Sequence, residues 1–227
     1  MSETISIIVP ALNEEALIAE TLGALALGDD DELIVVDGAS SDATVSIASR
    51  FTHKVITAPR GRAFQMNAGA KAASRDILIF LHADCLLPDG GLDMVRSAFE
   101  VGASAAAFDI QIAHEGFSYR LIERAANLRS RITRLAYGDQ AISIRRDLFD
   151  RMGGFSDIPL MEDVEFGLRL RRQCAVRFMR PAVRVSARRW AHEGPLYTTL
   201  RDWRLALSYL VLRTSPDKLI SRYRDIR

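Results

Sequence analysis

The chain has 227 residues, enough for one large domain or two small ones, and a hydrophobic content of 48% supports a full core. Lys and Arg (30) nearly balance Asp and Glu (29), so no global field points to nucleic acid as a partner. Cys85 and Cys174 offer no disulfide framework, and no apolar run approaches the roughly 18–20 residues of a membrane span. Charge is nonetheless uneven. Acids crowd positions 29–32 and arginines crowd positions 169–189, which favours a local anion site. Met1-Ser2-Glu3-Thr4 lacks the basic start and apolar segment of a signal peptide. With the cysteine usage, this predicts a cytoplasmic location.

In chain order, Ile5 to Val9 is a continuous apolar run, as expected of a strand buried on both faces, with Pro10 as its end. Asn13 is placed to cap the next helix, with Glu14 and Glu15 in its first turn and Leu17, Ile18, Thr21, Leu22 and Leu25 at helical spacing. Leu33 to Val36 predicts a second buried strand that stops at Asp37-Gly38, followed by a helix through Arg50. Lys54 to Thr57 reads as a short strand, Ala63 to Ala73 as a helix, and Ile77 to Leu81 as the next strand. Strands alternating with helices predict an α/β fold with a mostly parallel twisted sheet and helices on both faces. In the second half, Ala105 to Ile112 predicts a strand with Phe108, Ile110 and Ile112 on one face. Phe117 to Leu135 predicts a long arginine-rich helix. Ala141 to Ile144 predicts a short strand, Met161 to Arg172 a helix beginning with Glu162-Asp163, and Leu196 to Leu212 a final amphipathic helix. The organisation expected is one domain over 1–227: a nucleotide-binding half at 1–104, a smaller acceptor and catalytic region at 105–195, and a helical extension at 196–227.

Three buried strands end in polar residues: Pro10 to Glu14, Asp37, and His82 to Asp84. Ligands of open α/β sheets bind outside the carboxyl ends of the strands, so residues far apart in sequence can meet there. On an extended chain His82 and Asp84 face the same way, while Ala83 and Cys85 face the other. A carboxylate there can hold a divalent cation, and the cation a diphosphate. Each feature also has a plain structural reading: a polar strand end, an Asp-Gly turn, an acidic pair favoured at a helix start.

The ordered set resembles glycosyltransferase family 2. Ser6-Ile7-Ile8-Val9-Pro10-Ala11-Leu12-Asn13-Glu14-Glu15 looks like the family's opening, and Ile34-Val35-Val36-Asp37-Gly38-Ala39-Ser40-Ser41-Asp42 like its aspartate loop. Asn67-Ala68-Gly69, the strand to Asp84, and Glu162-Asp163-Val164-Glu165-Phe166-Gly167-Leu168-Arg169 continue the likeness, which covers about Ile5 to Trp190. Arg60-Gly61-Arg62-Ala63-Phe64-Gln65-Met66-Asn67-Ala68-Gly69 and Gly138-Asp139-Gln140 look closest to a bacterial branch associated with arsenosugar biosynthesis.

The resemblance implies a GT-A fold, a nucleotide-diphosphate sugar donor (UDP-sugar foremost), a divalent cation (Mn2+ or Mg2+) and inversion at the anomeric carbon. Pro10, Leu12, Asn13 and Glu14 match the first donor loop, Asp37 the base-pairing carboxylate, and Arg62 a basic donor contact. Asp84 matches the metal-binding carboxylate of an Asp-x-Asp motif whose first position here is His82. Imidazole can ligate manganese or hydrogen-bond a ribose hydroxyl without adding fixed negative charge. Asp163 matches the general base that takes the acceptor proton, with Glu162 beside it as an orienting group.

Asp139, Gln140, Arg189 and Trp190 are candidates for the acceptor side. The run Arg177, Arg180, Arg184, Arg188, Arg189 can neutralise diphosphate, and Ser186 stands where processive members carry glutamine. The acceptor is expected to be a small molecule or lipid-linked. A homodimer and peripheral membrane contact through Leu196 to Arg227 are the further partners considered, the latter at the inner membrane face. Two other classes compete: a sugar nucleotidyltransferase, and a non-catalytic nucleotide-sugar-binding protein suggested by His82. A dinucleotide oxidoreductase is disfavoured because no Gly-x-Gly-x-x-Gly follows the first strand.

Overall fold

The structure is a computed structural model and describes residues 3–220, Ile220 through its backbone only. Met1, Ser2 and positions 221–227 of the predicted extension lie outside these residues. The first part of the chain runs β1 (Ile5–Ala11), α1 (Ile18–Gly23), β2 (Glu32–Asp37), α2 (Thr44–Ala48), β3 (Val55–Thr57), α3 (Arg62–Ala72) and β4 (Ile77–Phe80). It continues as β5 (Cys85–Leu86), α4 (Gly91–Glu100), β6 (Ala105–Ile112), α5 (Phe117–Thr133), a 3₁₀ turn (Gly138–Gln140), β7 (Ile142–Arg145) and α6 (Arg146–Arg151). The last part is α7 (Glu162–Gln173), β8 (Val176–Val185), α8 (Arg188–Glu193), α9 (Pro195–Leu210) and α10 (Pro216–Ile220).

One eight-stranded sheet runs through both halves in the order β3-β2-β1-β4-β7-β6-β8-β5. β3, β2, β1 and β4 are parallel neighbours, and β6 pairs β8 in parallel. β7 joins the two groups by running antiparallel to both β4 and β6. The continuous apolar runs have the predicted cause. Ile5, Ile7, Val9 and Ala11 of β1 pack into one core with Ile77 and Ile79 of β4. Ile8, with Leu78 and Phe80, packs into a second core on the opposite face. Both faces are covered, so alternation buries every residue instead of exposing half.

Two of the motifs quoted above are packing devices. Gly69 lets α3 approach the sheet: a Cβ there would lie 2.3 Å from Ile8 Cγ2 and 3.0 Å from Val36 Cγ2. Asn67, two residues earlier, clamps the distant Phe155 backbone, donating to its carbonyl at 2.8 Å and accepting from its N–H at 2.9 Å. Along α7, Glu165 pairs with Arg169, whose guanidinium donates to the Met152 and Gly154 carbonyls at 2.7 Å. Gly167 lets the same helix pass the Ala136 carbonyl, 3.0 Å from where a Cβ would stand.

Several boundaries differ from the sequence reading. β1 does not stop at Pro10. It continues to Ala11, because Pro10 pairs only with β2 and its missing N–H faces no partner strand on the β4 side. Asn13 does not cap α1, which begins five residues later; its Oδ1 instead accepts from Ser41 N–H at 2.9 Å and ties two loops together. The arginine run at 177–184 belongs to β8, a strand the sequence reading missed. Met179, Val183 and Val185 are buried there while Arg177, Arg180 and Arg184 point out. A register shift opposite Phe108 and Ile110 breaks its two-residue period. β5, α4, α6, α8 and α10 were also unread.

Replacing Gly69 by valine is expected to force α3 off the sheet and destabilise the fold by about 1–3 kcal/mol, the usual cost of overpacking. Urea unfolding measures this, and an unchanged midpoint would show that α3 can shift freely.

Candidate active site

The carboxyl ends of β1 and β4 open onto a cavity of about 230 Å³ whose far wall comes from the 3₁₀ turn, the start of α7, and α8–α9. Pro10, Leu12 and Glu14 enter from β1, and His82, Asp84 and Cys85 from the segment after β4. That segment is a turn, not an extended strand: Cys85 N–H donates to the His82 carbonyl at 3.1 Å. Thr21 Oγ1 pins it by donating to the Ala83 carbonyl at 2.7 Å. Strand parity therefore fails here. Cys85 does not point away; its sulfur lies with ligand atoms of His82 and Asp84, all within 4.8 Å of one another.

Opposite, Asp163 stands in the first turn of α7. Gly138 N–H donates to its Oδ2 at 2.8 Å and its own neighbour Val164 N–H to Oδ1 at 2.7 Å. Gly138 has no room for a side chain, since a Cβ would sit 2.9 Å from His82 Nε2 and 3.2 Å from Asp163 Oδ2. The 3₁₀ turn is thus wedged between the metal-capable pair and the candidate base. Met161, just before α7, holds a left-handed backbone at φ 68°, a strained conformation that aims the Glu162-Asp163 pair.

Charges of both signs line the cavity. Arg188 donates to both Glu14 oxygens at 3.0 and 3.2 Å and lies 3.7 Å from Asp84 Oδ2, while its buried Nε has no hydrogen-bond partner. Arg189 pairs with Asp202 of α9 at 2.8 Å. Arg129 of α5 stacks on the Tyr137 ring at 3.8 Å. Burial lowers the His82 pKa to about 4, helped by Arg62 and opposed by Asp84 and Asp163, so the ring is neutral at pH 7. Burial also raises Glu162 to about 7, with the Asp163 charge adding to it and Arg62, 3.8 Å away, opposing it. Asp139 is pushed up to about 6, again by burial first.

Pro10, Leu12, Glu14, Arg62, His82, Asp84, Asp139, Glu162, Asp163, Arg189 and Trp190 are therefore brought to one cavity. Three predicted residues are not. Asp37 is buried at the end of β2, and its carboxylate accepts from Ala39 and Ser40 N–H at 3.0 and 3.1 Å outside the cavity lining. Asn13 bridges loops as described. Gln140 lies outside the cavity lining: it accepts from Ser130 Oγ and Tyr137 N–H and donates to the Phe108 carbonyl at 2.9 Å. Arg177, Arg180 and Arg184 likewise lie away from the cavity, leaving Arg188 and Arg189 for an anion. Sequence reading missed Gln65, Arg129, Tyr137 and Asp202. Gln65 ties α3 to the strand ends by donating to the Ala11 and Val36 carbonyls at 2.7 and 2.8 Å. Its place in the Arg60–Gly69 match was the one available signal; Arg129 and Asp202 carried none.

The donor set suits a divalent cation held through Asp84 oxygen and His82 nitrogen, with other positions left to water and substrate oxygens. Cys85 is the softer member of the group, and its sulfur suits Mg2+ or Mn2+ less well than the Asp84 oxygen does.

Residues 6–156 match the model of glycosyl transferase family 2. The chain belongs to that family. Among curated relatives it is 27% identical over 194 residues to "Probable glycosyltransferase YdaM" of Bacillus subtilis, covering 73% of this chain and 46% of that protein. It is 30% identical over 102 residues to "Uncharacterized glycosyltransferase Rv0539" of Mycobacterium tuberculosis, covering 44% and 46%. The chain thus spans about half the length of the curated relatives it matches. The fold is that of GT-A glycosyltransferases. S. aureus TarS 1-349 in complex with UDP-GlcNAc superposes with a TM-score of 0.65 at 19% identity, covering 81% of this chain and 58% of that one. Mannosyltransferase PcManGT from Pyrobaculum calidifontis, in complex with GDP-Man and Mn2+, gives 0.65 at 21% identity over 100% and 66%.

The raised Glu162 makes stability pH-dependent. Between 4.5 and about 7 the folded chain holds a proton that the unfolded chain has released. This contribution is therefore most favourable below that window, declines as pH rises through it, and levels off above. Glu162→Gln removes the effect, so on going from pH 5 to pH 8 the variant should gain roughly 1–3 kcal/mol relative to the parent chain in urea unfolding. Parallel stability curves would place the Glu162 proton elsewhere.

Proposed function

We propose that this chain is a metal-dependent inverting glycosyltransferase that moves a sugar from a nucleotide-diphosphate donor, first among them a UDP-sugar, to an acceptor hydroxyl. The observation that carries this reading is the placement of Asp163 across one cavity from Asp84, its carboxylate fixed by two backbone N–H groups. Inverting transfer needs a base on one face of the sugar and charge neutralisation on the other, and no protein nucleophile. The whole chain, 1–227, is taken to act as one GT-A domain.

Asp84 and His82 would hold the divalent cation, which when bound neutralises charge on the leaving diphosphate. Arg188 adds fixed positive charge on that side, and Arg62 a further donor contact. Asp163 takes the acceptor hydroxyl proton as that oxygen attacks the anomeric carbon, and its two hydrogen bonds keep the carboxylate aimed while lone pairs remain for the incoming proton. Glu162, largely protonated up to about pH 7, orients the acceptor as a donor. Asp139, Arg189 and Trp190, which line the cavity, would meet the acceptor. Asp37 would meet the nucleotide base only through the edge of its turn. The acceptor is a small molecule or a lipid-linked species. The arsenosugar-associated branch is the narrower assignment, supported by Arg60–Gly69 and Gly138-Asp139-Gln140.

Asp163→Asn should lower turnover by at least about a hundredfold while UDP affinity in calorimetric titration stays unchanged; near-normal turnover would remove Asp163 from the mechanism. Asp84→Ala should abolish the gain in UDP affinity that Mn2+ confers. A gain equal to that of the parent chain would exclude Asp84 as a ligand.

A further inference from the structure

α5 and α9 pack on each other, joined where the Arg129 guanidinium lies 5.9 Å from the Trp203 ring. Each carries outward apolar residues at one repeated spacing. On α5 these are Phe117, Leu121, Leu128 and Ile132; on α9 and its C-cap they are Leu196, Leu200, Leu207 and Val211. At 3.6 residues per turn either set falls within about 60° of arc. All are exposed, from 58% at Leu128 to 82% at Phe117. The opposite faces are used inside the molecule: Tyr119, Ile122 and Ala126 of α5 are core, and Asp202, Leu205 and Ala206 of α9 line the cavity.

The charges on these helices are sorted by sign. α5 has one carboxylate, Glu123, which is buried and pairs with Arg120 at 3.0 Å. α9 has one, Asp202, which is turned inward to Arg189 and Arg201. The exposed charges are cationic: Arg124 on α5, Arg134 at its C-cap, Arg204 on α9 and Arg213 just beyond. An apolar stripe flanked by outward arginines, with every helix carboxylate withdrawn, is complementary to an anionic lipid surface. The same sorting opposes a second copy, since a two-fold contact between identical faces would set arginine against arginine.

We propose that the α5–α9 face docks this protein on anionic membrane surfaces, with the apolar side chains entering the headgroup boundary and the arginines meeting lipid phosphates. The surface is independent of the transfer chemistry, so binding to vesicles and binding of UDP are read separately.

The test is co-sedimentation of the full chain with vesicles of equimolar phosphatidylcholine and phosphatidylglycerol, against phosphatidylcholine alone, with light scattering of the free protein alongside. Preferential sedimentation with the mixed vesicles, weakened by salt, is expected. Leu200→Asp/Leu207→Asp should abolish it with circular dichroism unchanged. Arg124→Glu/Arg204→Glu, which leaves the apolar stripe intact, should weaken it by at least roughly tenfold; this variant decides the matter if the leucine variant loses helix content. No sedimentation of the parent chain, or equal sedimentation of parent and arginine variant, would overturn the proposal. So would a dimer in light scattering that Leu200→Asp/Leu207→Asp dissolves, which would make the face a contact between copies.

Discussion

Burial of β1 and β4 on both faces is the constraint from which the site follows. A strand covered on one side can carry polar residues along its open face. A strand covered on both sides can do so only where a partner is at hand, as Ser6 of β1 finds in Glu32, because each uncompensated polar group in the interior costs free energy. Polar side chains are therefore driven to the ends, where the backbone leaves the sheet. In β1 and β4 the ends are neighbours, so Glu14 and Leu12 meet His82 and Asp84 at one edge. The turn that holds His82 and Asp84 is secured from within by Thr21, whose buried hydroxyl has only the Ala83 carbonyl to satisfy it.

The second half supplies what an edge of sheet lacks, a facing wall. β7 fixes that wall by joining β4 antiparallel, which brings the 3₁₀ turn before it directly over His82. Gly138 is the hinge point of the arrangement, because its N–H reaches Asp163 and its missing side chain leaves room for the imidazole. Asp84, Asp139, Glu162 and Asp163 can share so small a space because Arg62, Arg129, Arg188 and Arg189 converge from three different elements. Burial, with the Asp163 charge adding to it and the arginines opposing it, keeps Glu162 and Asp139 protonated further toward neutrality than a free carboxyl.

The C-terminal helices serve two surfaces at once. The inner face of α9 contributes Asp202, Leu205 and Ala206 to the cavity, and Leu205 packs with Leu160 and Leu219 in a small core of its own. Its outer face is apolar and cationic. None of the helices among the described residues is long and apolar enough to cross a membrane.

Much of this was legible in the sequence. The runs Ile5 to Val9, Leu33 to Val36 and Ile77 to Leu81 determined the strands, because β-branched apolar residues without alternation leave a doubly covered sheet as the consistent solution. The polar words after them marked the site's edge, and Glu162-Asp163 before a helical pattern marked its base side. Tertiary structure alone decided which of those words share a cavity. Asp37 read as a site residue but is satisfied within its own turn, and Gln140 is held by Ser130, Tyr137 and the distant Phe108, so neither lines the cavity. Cys85 was assigned outward by strand parity, which holds only while the chain stays extended. Arg129, Tyr137 and Asp202 carried no local signal at all. Their roles come from long-range packing of α5 and α9 across the sheet edge, and contacts between residues distant in sequence leave no periodicity for a single chain to display.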